Sequence, residues 1–222
     1  MNKLLRAGAL AIVALLSIGA NGNWNTHVVE TDRAHVIGNP DAKVTLTEFV
    51  SYTCPHCAEF AVEGEAPLQL VYIGPGKLKV EVRSVIRNVV DLGATMLVEC
   101  GPKEKFLQNH TMFMRRQGTW LAKVQQSTPA QRAVWMRGDA AGLRSMASAL
   151  GFYEMMEGRG YSRIEVDTCL ADAAMAKKVV ENSQADAVEF GVKYTPSFAV
   201  DGKLLDDAHD WKSLQQAFGT RF

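Results

Sequence analysis

Two cysteines, Cys54 and Cys57, stand in a C-P-H-C pattern directly after a strand-like segment. Cysteines at this spacing can open and close a disulfide, and thiolates can also bind zinc. The pattern begins where a helix is predicted to start, and unpaired N–H groups with about half a positive charge stabilise an anion there. We therefore expect Cys54 to be a reactive thiol with a lowered pKa and Cys57 to be the shielded resolving thiol.

Pro55 and His56, between the cysteines, support a redox interpretation. Proline suits the first turn of a helix because its missing N–H would have no partner there. A protonated His56 would add positive charge near the first thiol. If the pKa of Cys54 fell from about 8.5 to about 5, the reduced form would gain about 2.7 kcal/mol at pH 7. That gain raises the reduction potential by roughly 60 mV, which favours donation of the disulfide.

The segments around the pair predict a strand–helix–strand unit. Residues 44–50 and 78–86 alternate in polarity and are rich in β-branched side chains, which predicts two strands. Pro55 opens a helical pattern that continues until Gly74-Pro75-Gly76 stops it. Cys54 therefore falls at the junction of a strand and a helix.

A long run of helical patterns with almost no strand signal follows the second strand. After this run, a β-hairpin is predicted around Asp201-Gly202, and residues 210–218 predict a closing helix. The predicted architecture is α/β, a strand-and-helix module interrupted by an all-helical domain. The predicted boundaries are 1–22 for a signal peptide, 23–90 for the first part of the module, 91–190 for the helical insertion and 191–222 for the second part.

The first residues have the pattern of a secretory signal peptide. Lys3 and Arg6 precede an apolar run over residues 7–18, which small and polar residues follow. The run falls short of the ~20 residues that a membrane-spanning helix needs, although an uncleaved anchor is the alternative. The chain has 24 basic and 24 acidic residues, and loss of Lys3 and Arg6 would leave about −2. This balance gives no electrostatic basis for binding nucleic acid or a membrane surface.

Two further features accompany the C-P-H-C pattern. Glu48 lies six residues before Cys54, and Thr195-Pro196 precedes the late strand. With the segments GNPDAKVTLTEF and GVKYTPSFAVDGK, they make the chain after the signal segment resemble the DsbA family of periplasmic thiol–disulfide oxidoreductases, of the thioredoxin superfamily. The resemblance implies a thioredoxin-like fold with an inserted all-helical domain. It implies an acidic Glu48 beneath the active site that assists proton movement around Cys57, and a cis-proline loop at Thr195 and Pro196 that lines the substrate groove. A water-exposed acid on the strand edge is the alternative for Glu48.

The resemblance also implies an activity. The protein is expected to be an enzyme, without a cofactor, that donates disulfides to unfolded or partly folded exported proteins and is reoxidised by a membrane partner of the DsbB type. A monomer in the periplasm is expected. Thr195 departs from the best-known DsbA proteins and also occurs in the isomerases DsbC and DsbG, but those carry an N-terminal dimerisation domain. About twenty residues between the signal segment and Val44 are too few for such a domain.

Two alternatives for the function stay open. The first is a periplasmic disulfide isomerase or reductase. The second is a non-redox thioredoxin-fold module that holds extended peptides near Pro196. Zinc binding is disfavoured because a second C-x-x-C pair is missing from the sequence, and we expect no metal site.

The other two cysteines, Cys100 and Cys169, both fall in the helical insertion. An even number of cysteines in an exported chain favours disulfides, so we expect these two to form a structural disulfide, with a second redox pair as the alternative. The remaining histidines are expected to be solvated surface side chains, and the methionines of the insertion to fill the core. These histidines are His27, His35, His110 and His209.

Overall fold

A computed structural model describes residues 23–219 and 222, so the predicted signal peptide at residues 1–22 lies outside the described residues. In the described part of the chain, six strands form one mixed sheet in the order β1-β2-β4-β3-β5-β6. The strands are β1 (Val28–Glu30), β2 (His35–Gly38), β3 (Val44–Val50), β4 (Leu78–Ser84), β5 (Ser197–Val200) and β6 (Lys203–Leu204).

Strand β3 lies in the interior of the sheet and leads into the cysteine pair. It pairs in parallel with β4 and antiparallel with β5, with Phe49 opposite Ser197. The parallel pair requires a crossover connection, which the chain makes with the helices that follow β3. The antiparallel pair places the end of β3 and the start of β5 at the same edge of the sheet. Residues far apart in the sequence therefore meet at this edge.

Helices make up most of the remaining structure. The α-helices of the described residues are α1 (Pro55–Glu63), α2 (Glu65–Pro67), α3 (Val89–Val98), α4 (Phe106–Arg115), α5 (Gln117–Gln126), α6 (Pro129–Trp135), α7 (Ala140–Leu150), α8 (Phe152–Glu157), α9 (Arg163–Leu170), α10 (Ala173–Phe190) and α11 (Trp211–Phe218). A π-helical segment covers Leu68–Ile73, and short 3₁₀ turns cover Trp24–Thr26 and Lys103–Lys105. Every element described between α3 and α10 is helical.

The structure differs from the sequence prediction at three places. The single helix predicted after Pro55 is interrupted at Gly64, where a Cβ would lie 2.8 Å from the ring of Phe60. Strand β4 ends at Ser84, two residues earlier than predicted. Strands β1 and β2 were not predicted, because segments of three and four residues are too short to show a clear alternation. The predicted strand at residues 44–50 is confirmed.

One hydrophobic core joins the sheet to the helical insertion. It contains Leu46 and Phe198 from the sheet and Phe113, Trp120 and Phe152 from the insertion, each at most 1% exposed. Because these side chains bury together, the insertion packs directly on the module that carries the cysteine pair. No helix among the described residues is long and apolar enough to cross a membrane.

The cysteines and methionines of the insertion have distinct environments. Cys100, after α3, and Cys169, in α9, are joined by a disulfide with a Cα–Cα distance of 5.8 Å. Most of the insertion's methionines pack in or against the core, as predicted, but Met136 is 72% exposed. The disulfide therefore fixes the end of α3, the first helix after β4, to a distant helix of the insertion.

Candidate active site

Helix α1 begins at the cysteine pair. Cys54 is its N-cap residue with an extended backbone, Pro55 follows in the first turn, and the Cys57 N–H donates to the Cys54 carbonyl at 3.1 Å. Among the described residues, these are the cysteines with free thiols, and both are buried, Cys57 at 1% exposure. The predicted position at a helix start is confirmed. The peptide dipoles of α1 therefore act on Cys54.

The two thiols differ strongly in acidity. A hydrogen bond from the Cys57 thiol is the largest influence on Cys54 and lowers its pKa to about 5, although burial opposes the shift. The charge of Arg87 lowers it further. Burial raises the pKa of Cys57 well above its usual value. With these pKa values, Cys54 is a thiolate and Cys57 a thiol at neutral pH.

Thr195 and Pro196 lie beside Cys54. In its protonated form the Cys54 thiol donates to the Thr195 carbonyl oxygen at 3.0 Å, and the Thr195–Pro196 peptide bond is cis. The neighbouring Tyr194 is 70% exposed. The Nδ1 atom of His209 lies 3.0 Å from the Pro196 carbonyl oxygen, which ties this loop to the segment before α11. The loop therefore places a backbone carbonyl next to the reactive sulfur and carries an exposed aromatic ring one residue away in the chain.

His56 points away from the protein. Its side chain is 74% exposed, and its Nδ1 lies 2.9 Å from a carboxylate oxygen of Glu59. The hydrogen bond with Glu59 raises the pKa of His56. The positive charge predicted for His56 is therefore paired with the carboxylate of Glu59, which reduces its effect on Cys54.

Glu48 is buried in the middle of the sheet. It lies on β3 opposite Val82 on one side and Phe198 on the other, and it is 6% exposed. The alternative of a water-exposed edge acid is therefore wrong. Burial, followed by the charge of Glu65, raises the pKa of Glu48 to about 8, and Glu48 in turn helps to raise the pKa of Cys57. A protonated carboxyl therefore lies near the buried thiol at neutral pH.

A polar cluster that the sequence analysis missed holds the loop before the first cysteine. The fully buried carboxylate of Asp91 accepts hydrogen bonds from the Ser51 hydroxyl at 2.8 Å and from the Thr53 N–H and hydroxyl at 2.9 Å each. Arg87 donates to the Thr53 hydroxyl oxygen at 3.1 Å. The motif Asn88-x-x-Asp91 at the start of α3 resembles a capping pattern and was a usable signal for a helix start there.

The insertion reaches the active-site loop through Gln117. Its side-chain amide is buried and donates to the Tyr52 carbonyl at 2.8 Å and to the Cys54 carbonyl at 2.7 Å. A buried carbonyl without a partner is costly, so this amide helps to fix the turn that carries Cys54. No sequence pattern indicates this contact, because a lone glutamine at the start of a helix is normally solvated.

The prediction of four solvated histidines is wrong for two of them. His35 and His110 are 5% and 3% exposed, whereas His27 and His209 are exposed. His110 Nδ1 lies 2.9 Å from the Tyr52 hydroxyl, and the His35 ring stacks on Phe106. Burial lowers the pKa of each buried histidine to about 4, so both are neutral at pH 7. In the part of the chain that the structure describes, no three His, Cys, Asp or Glu side chains are placed to hold a metal ion.

Comparisons with known proteins agree with this architecture. A family model described as thioredoxin matches residues 30–218. A crystal structure of a protein-disulfide isomerase from Novosphingobium aromaticivorans is 41% identical with a TM-score of 0.83, covering 86% of this chain and 98% of that chain. The structure of Wolbachia pipientis alpha-DsbA1 is 16% identical with a TM-score of 0.68, covering 86% and 92%, and shows the same fold.

Curated sequences match over a shorter segment. A relative from Rickettsia bellii, whose name assigns it to the protein-disulfide oxidoreductases, is 34% identical over 86 residues. The match covers 38% of this chain and 33% of the relative, so it spans about a third of that protein's length. The family model and the solved structures together show that the fold is thioredoxin-like with a helical insertion, as predicted.

Proposed function

The chain belongs to the thioredoxin family, and from this premise we propose that it is a thiol–disulfide oxidoreductase that donates disulfides to exported proteins in the periplasm. The observation that carries the proposal is the opposite shift of the two cysteine pKa values, Cys54 to about 5 and Cys57 upward. A pair in which one thiol is stabilised as an anion favours its reduced form. Such a pair gives its disulfide to other thiols.

The reaction begins from the disulfide between Cys54 and Cys57. A substrate thiolate attacks Cys54 Sγ, a mixed disulfide forms, and the bond between the two cysteines breaks with Cys57 leaving as a thiolate. Because the pKa of Cys57 is raised by burial, this thiolate takes up a proton, and the proposed donor is Glu48, a protonated carboxyl whose charge influences the pKa of Cys57. The second substrate thiolate then attacks the substrate sulfur of the mixed disulfide, and Cys54 leaves as a stabilised thiolate. The substrate is oxidised by two electrons and the enzyme is reduced by two.

The loop at Thr195 and Pro196 supports the binding of an extended substrate segment. The Thr195 carbonyl lies 3.0 Å from Cys54 Sγ, so a chain lying along this loop would bring its cysteine to the reactive sulfur. Backbone groups recognise any sequence in the same way, which suits unfolded or partly folded substrates. The exposed Tyr194 adds apolar contact area at the rim.

Isomerase activity is the second candidate, because the relative from Novosphingobium aromaticivorans bears that name and is 41% identical. An isomerase needs a pair that stays reduced enough to attack wrong disulfides, and the low pKa of Cys54 makes its sulfur a good leaving group from a mixed disulfide in either activity. The two activities therefore differ chiefly in the reduction potential of the pair. A non-redox peptide-binding module is the third candidate.

Location and partners complete the proposal. The apolar segment at residues 7–18 and the disulfide between Cys100 and Cys169 support export to an oxidising compartment. We infer a monomer that is reoxidised by a membrane partner of the DsbB type, a partner that the family resemblance implies.

The test is the redox equilibrium of the purified protein with glutathione, followed by thiol alkylation. A disulfide donor has a potential well above the approximately −270 mV of thioredoxin and oxidises a reduced substrate protein stoichiometrically. A potential near that of thioredoxin, together with repair of scrambled disulfides, would favour the isomerase. The Cys54→Ala/Cys57→Ala variant separates the third candidate, since undiminished peptide-dependent function in this variant would contradict any redox role.

A further inference from the structure

A narrow cavity lies between the sheet and the helices behind the active site. Its volume is about 30 Å³, enough for a water molecule. Apolar side chains from β2, β4 and the π-helical segment form most of the wall, and three ionisable side chains also line it, those of Glu48, Glu65 and His110. The cavity therefore connects Glu48, whose charge influences the pKa of Cys57, with a second carboxyl group.

Glu65 lies at the boundary of this cavity. Its side chain is 11% exposed, and one carboxylate oxygen, Oε2, accepts a hydrogen bond from the Thr111 hydroxyl at 3.1 Å. The other oxygen, Oε1, is buried and has no hydrogen-bond partner within the described residues, with His110 Nε2 3.6 Å away. A buried carboxylate oxygen without a partner is costly, so Oε1 requires a proton or a water molecule.

A wide groove of about 580 Å³ opens on the other side of Glu65. Arg115 and Arg159 line it together with polar side chains of α4 and the segment before β1. Of the ionisable residues that the structure describes, Glu65 alone lines both the cavity and the groove. The loop at Thr195 and Pro196 does not line this groove. A substrate bound at that loop would therefore leave the groove in contact with water.

We propose that Glu65 carries protons between Glu48 and the solvent in this groove, so that Cys57 exchanges its proton while substrate covers the active site. The inference rests on the proposed disulfide-donor function. When the bond between Cys54 and Cys57 breaks, the Cys57 thiolate takes a proton from the Glu48 carboxyl. Glu48 takes one from Glu65 through a water molecule in the cavity, and Glu65 takes one from the groove. No electrons move in these steps, and one proton passes inward.

The acidities along this route support inward transfer. Burial raises the pKa of Glu65 to about 7, against the hydrogen bond from Thr111 and the charge of Arg115, which lower it. The pKa of Glu48 is about 8, and that of Cys57 is higher still. Each group therefore binds a proton more tightly than the group before it, and the proton moves downhill towards Cys57.

The charged and titratable groups around the route come from several elements. Glu65 is faced by Glu48 from β3 and by His110 and Arg115 from α4. His110 is neutral at pH 7 because burial lowers its pKa to about 4. Tyr52, whose pKa is raised well above 10 by burial, stays protonated. Glu48 and Glu65 are thus the groups of this set that change protonation between pH 6 and pH 9.

The experiment is single-turnover oxidation of a dithiol peptide by the oxidised protein, followed from pH 5 to pH 9. Glu65→Gln should slow the reaction at least about tenfold at neutral pH, because one proton-transfer group is lost, and imidazole should restore part of the rate by entering the groove. Glu63→Gln, an exposed acid two residues away, is the matched control and should leave the profile unchanged. Thr111→Val keeps the carboxyl but removes a hydrogen bond that lowers its pKa, so the alkaline decline of the rate should move to higher pH.

The outcomes separate this inference from the proposed function. If the wild-type protein oxidises the peptide while Glu65→Gln and Thr111→Val both follow the Glu63→Gln profile, Glu65 carries no proton and the inference is overturned. If the wild-type protein fails to oxidise the peptide at any pH, the disulfide-donor function itself fails. A slowed Glu65→Gln protein that imidazole rescues, with a shifted Thr111→Val profile, supports the proton route.

Discussion

The thiol of Cys54 and the carbonyl oxygen of Thr195 are 3.0 Å apart, although 141 positions separate the two residues in the sequence. The contact exists because Cys54 follows β3 and Thr195 precedes β5, and these strands pair antiparallel at the centre of the site. The reactive sulfur thus touches the backbone of the loop that is proposed to bind substrate. The sulfur that reacts and a backbone group of the proposed binding loop are therefore in direct contact.

The stability of the reduced protein should depend on pH through Cys54. Its folded pKa of about 5 lies below the unfolded value of 9.0, so the stabilisation is complete above pH 9 and is lost as the pH falls through 5. The difference in free energy of unfolding between reduced and oxidised protein should therefore change by at most about 1.4 kcal/mol per pH unit between 5 and 9. Denaturant unfolding of both forms measures this difference, and a flat profile would contradict the low pKa.

Replacing Cys57 with alanine should raise the pKa of Cys54. The hydrogen bond from the Cys57 thiol is the largest influence that lowers it, and alanine cannot donate one. We expect an increase of roughly 1 to 2 units, measured as the pH dependence of the alkylation rate of Cys54. Cys57→Ser is the matched control, because its hydroxyl keeps a donor and should preserve most of the shift. Equal midpoints in both variants and the wild type would show that the helix N-terminus suffices.

Replacing His209 with alanine should weaken substrate binding. His209 Nδ1 lies 3.0 Å from the Pro196 carbonyl oxygen, and its removal frees the loop beside Cys54. We expect KM for a dithiol peptide to rise roughly threefold to tenfold, while the pKa of Cys54 changes little, because the loss corresponds to about one hydrogen bond. His27→Ala, an exposed histidine outside the site, should have no effect. An unchanged KM would mean that the loop needs no such support.

Replacing Glu48 with glutamine should stabilise the protein at alkaline pH. The folded pKa of about 8 exceeds the ordinary value of 4.5, so the contribution of Glu48 to stability is complete below pH 4.5 and is lost as the pH rises through 8. Glutamine removes this loss, and the variant should gain on the order of 3 kcal/mol over the wild type at pH 8 and nothing near pH 4.5. Denaturant unfolding at both pH values tests this, with Glu63→Gln as the exposed control. A constant difference across the range would argue against a buried, protonated Glu48.

Removing the second disulfide should destabilise the fold. Cys100 and Cys169 close a loop of 69 residues, and the chain-entropy argument predicts a loss of up to about 4 kcal/mol in free energy of unfolding for Cys100→Ser/Cys169→Ser. Cys54→Ser/Cys57→Ser removes the same number of cysteines and should cost less when each variant is compared with a wild type whose Cys100–Cys169 bond is intact and whose Cys54–Cys57 pair is reduced. Alkylation of the unreduced Cys54→Ala/Cys57→Ala protein should label no thiol, and two labelled thiols would contradict the bond.

The low pKa of Cys54 could be predicted from the sequence because its largest cause, the thiol of Cys57, lies three residues away. Cys54, Pro55 and Cys57 lie within one helical turn, and a proline in the first turn marks where the helix starts. Strand β3 was equally clear, since seven residues are enough to show its β-branched alternation. The loop at Pro196 could be placed only through the family resemblance.

The surrounding polar contacts could not be predicted, because packing sets them. Gln117 reaches Tyr52 and Cys54 across more than 60 positions, and Asp91 reaches Ser51 across 40. His110 became buried and Glu65 partly buried because α4 lies against the helix that follows the cysteines, which no sequence periodicity specifies. Residue type alone favours a solvated position for each of these side chains.

The distance in sequence between Cys54 and Thr195 determines when the active site can form during synthesis of the chain. A ribosome adds about 5 to 20 residues per second, so the 141 positions between them take roughly 7 to 30 seconds to translate. During that interval the reactive cysteine exists without its carbonyl partner, and the intervening helices are made before β5 can pair with β3. The nascent chain thus carries a thiol pair that gains its contact with the Thr195 loop only after nearly all of the polypeptide has been made.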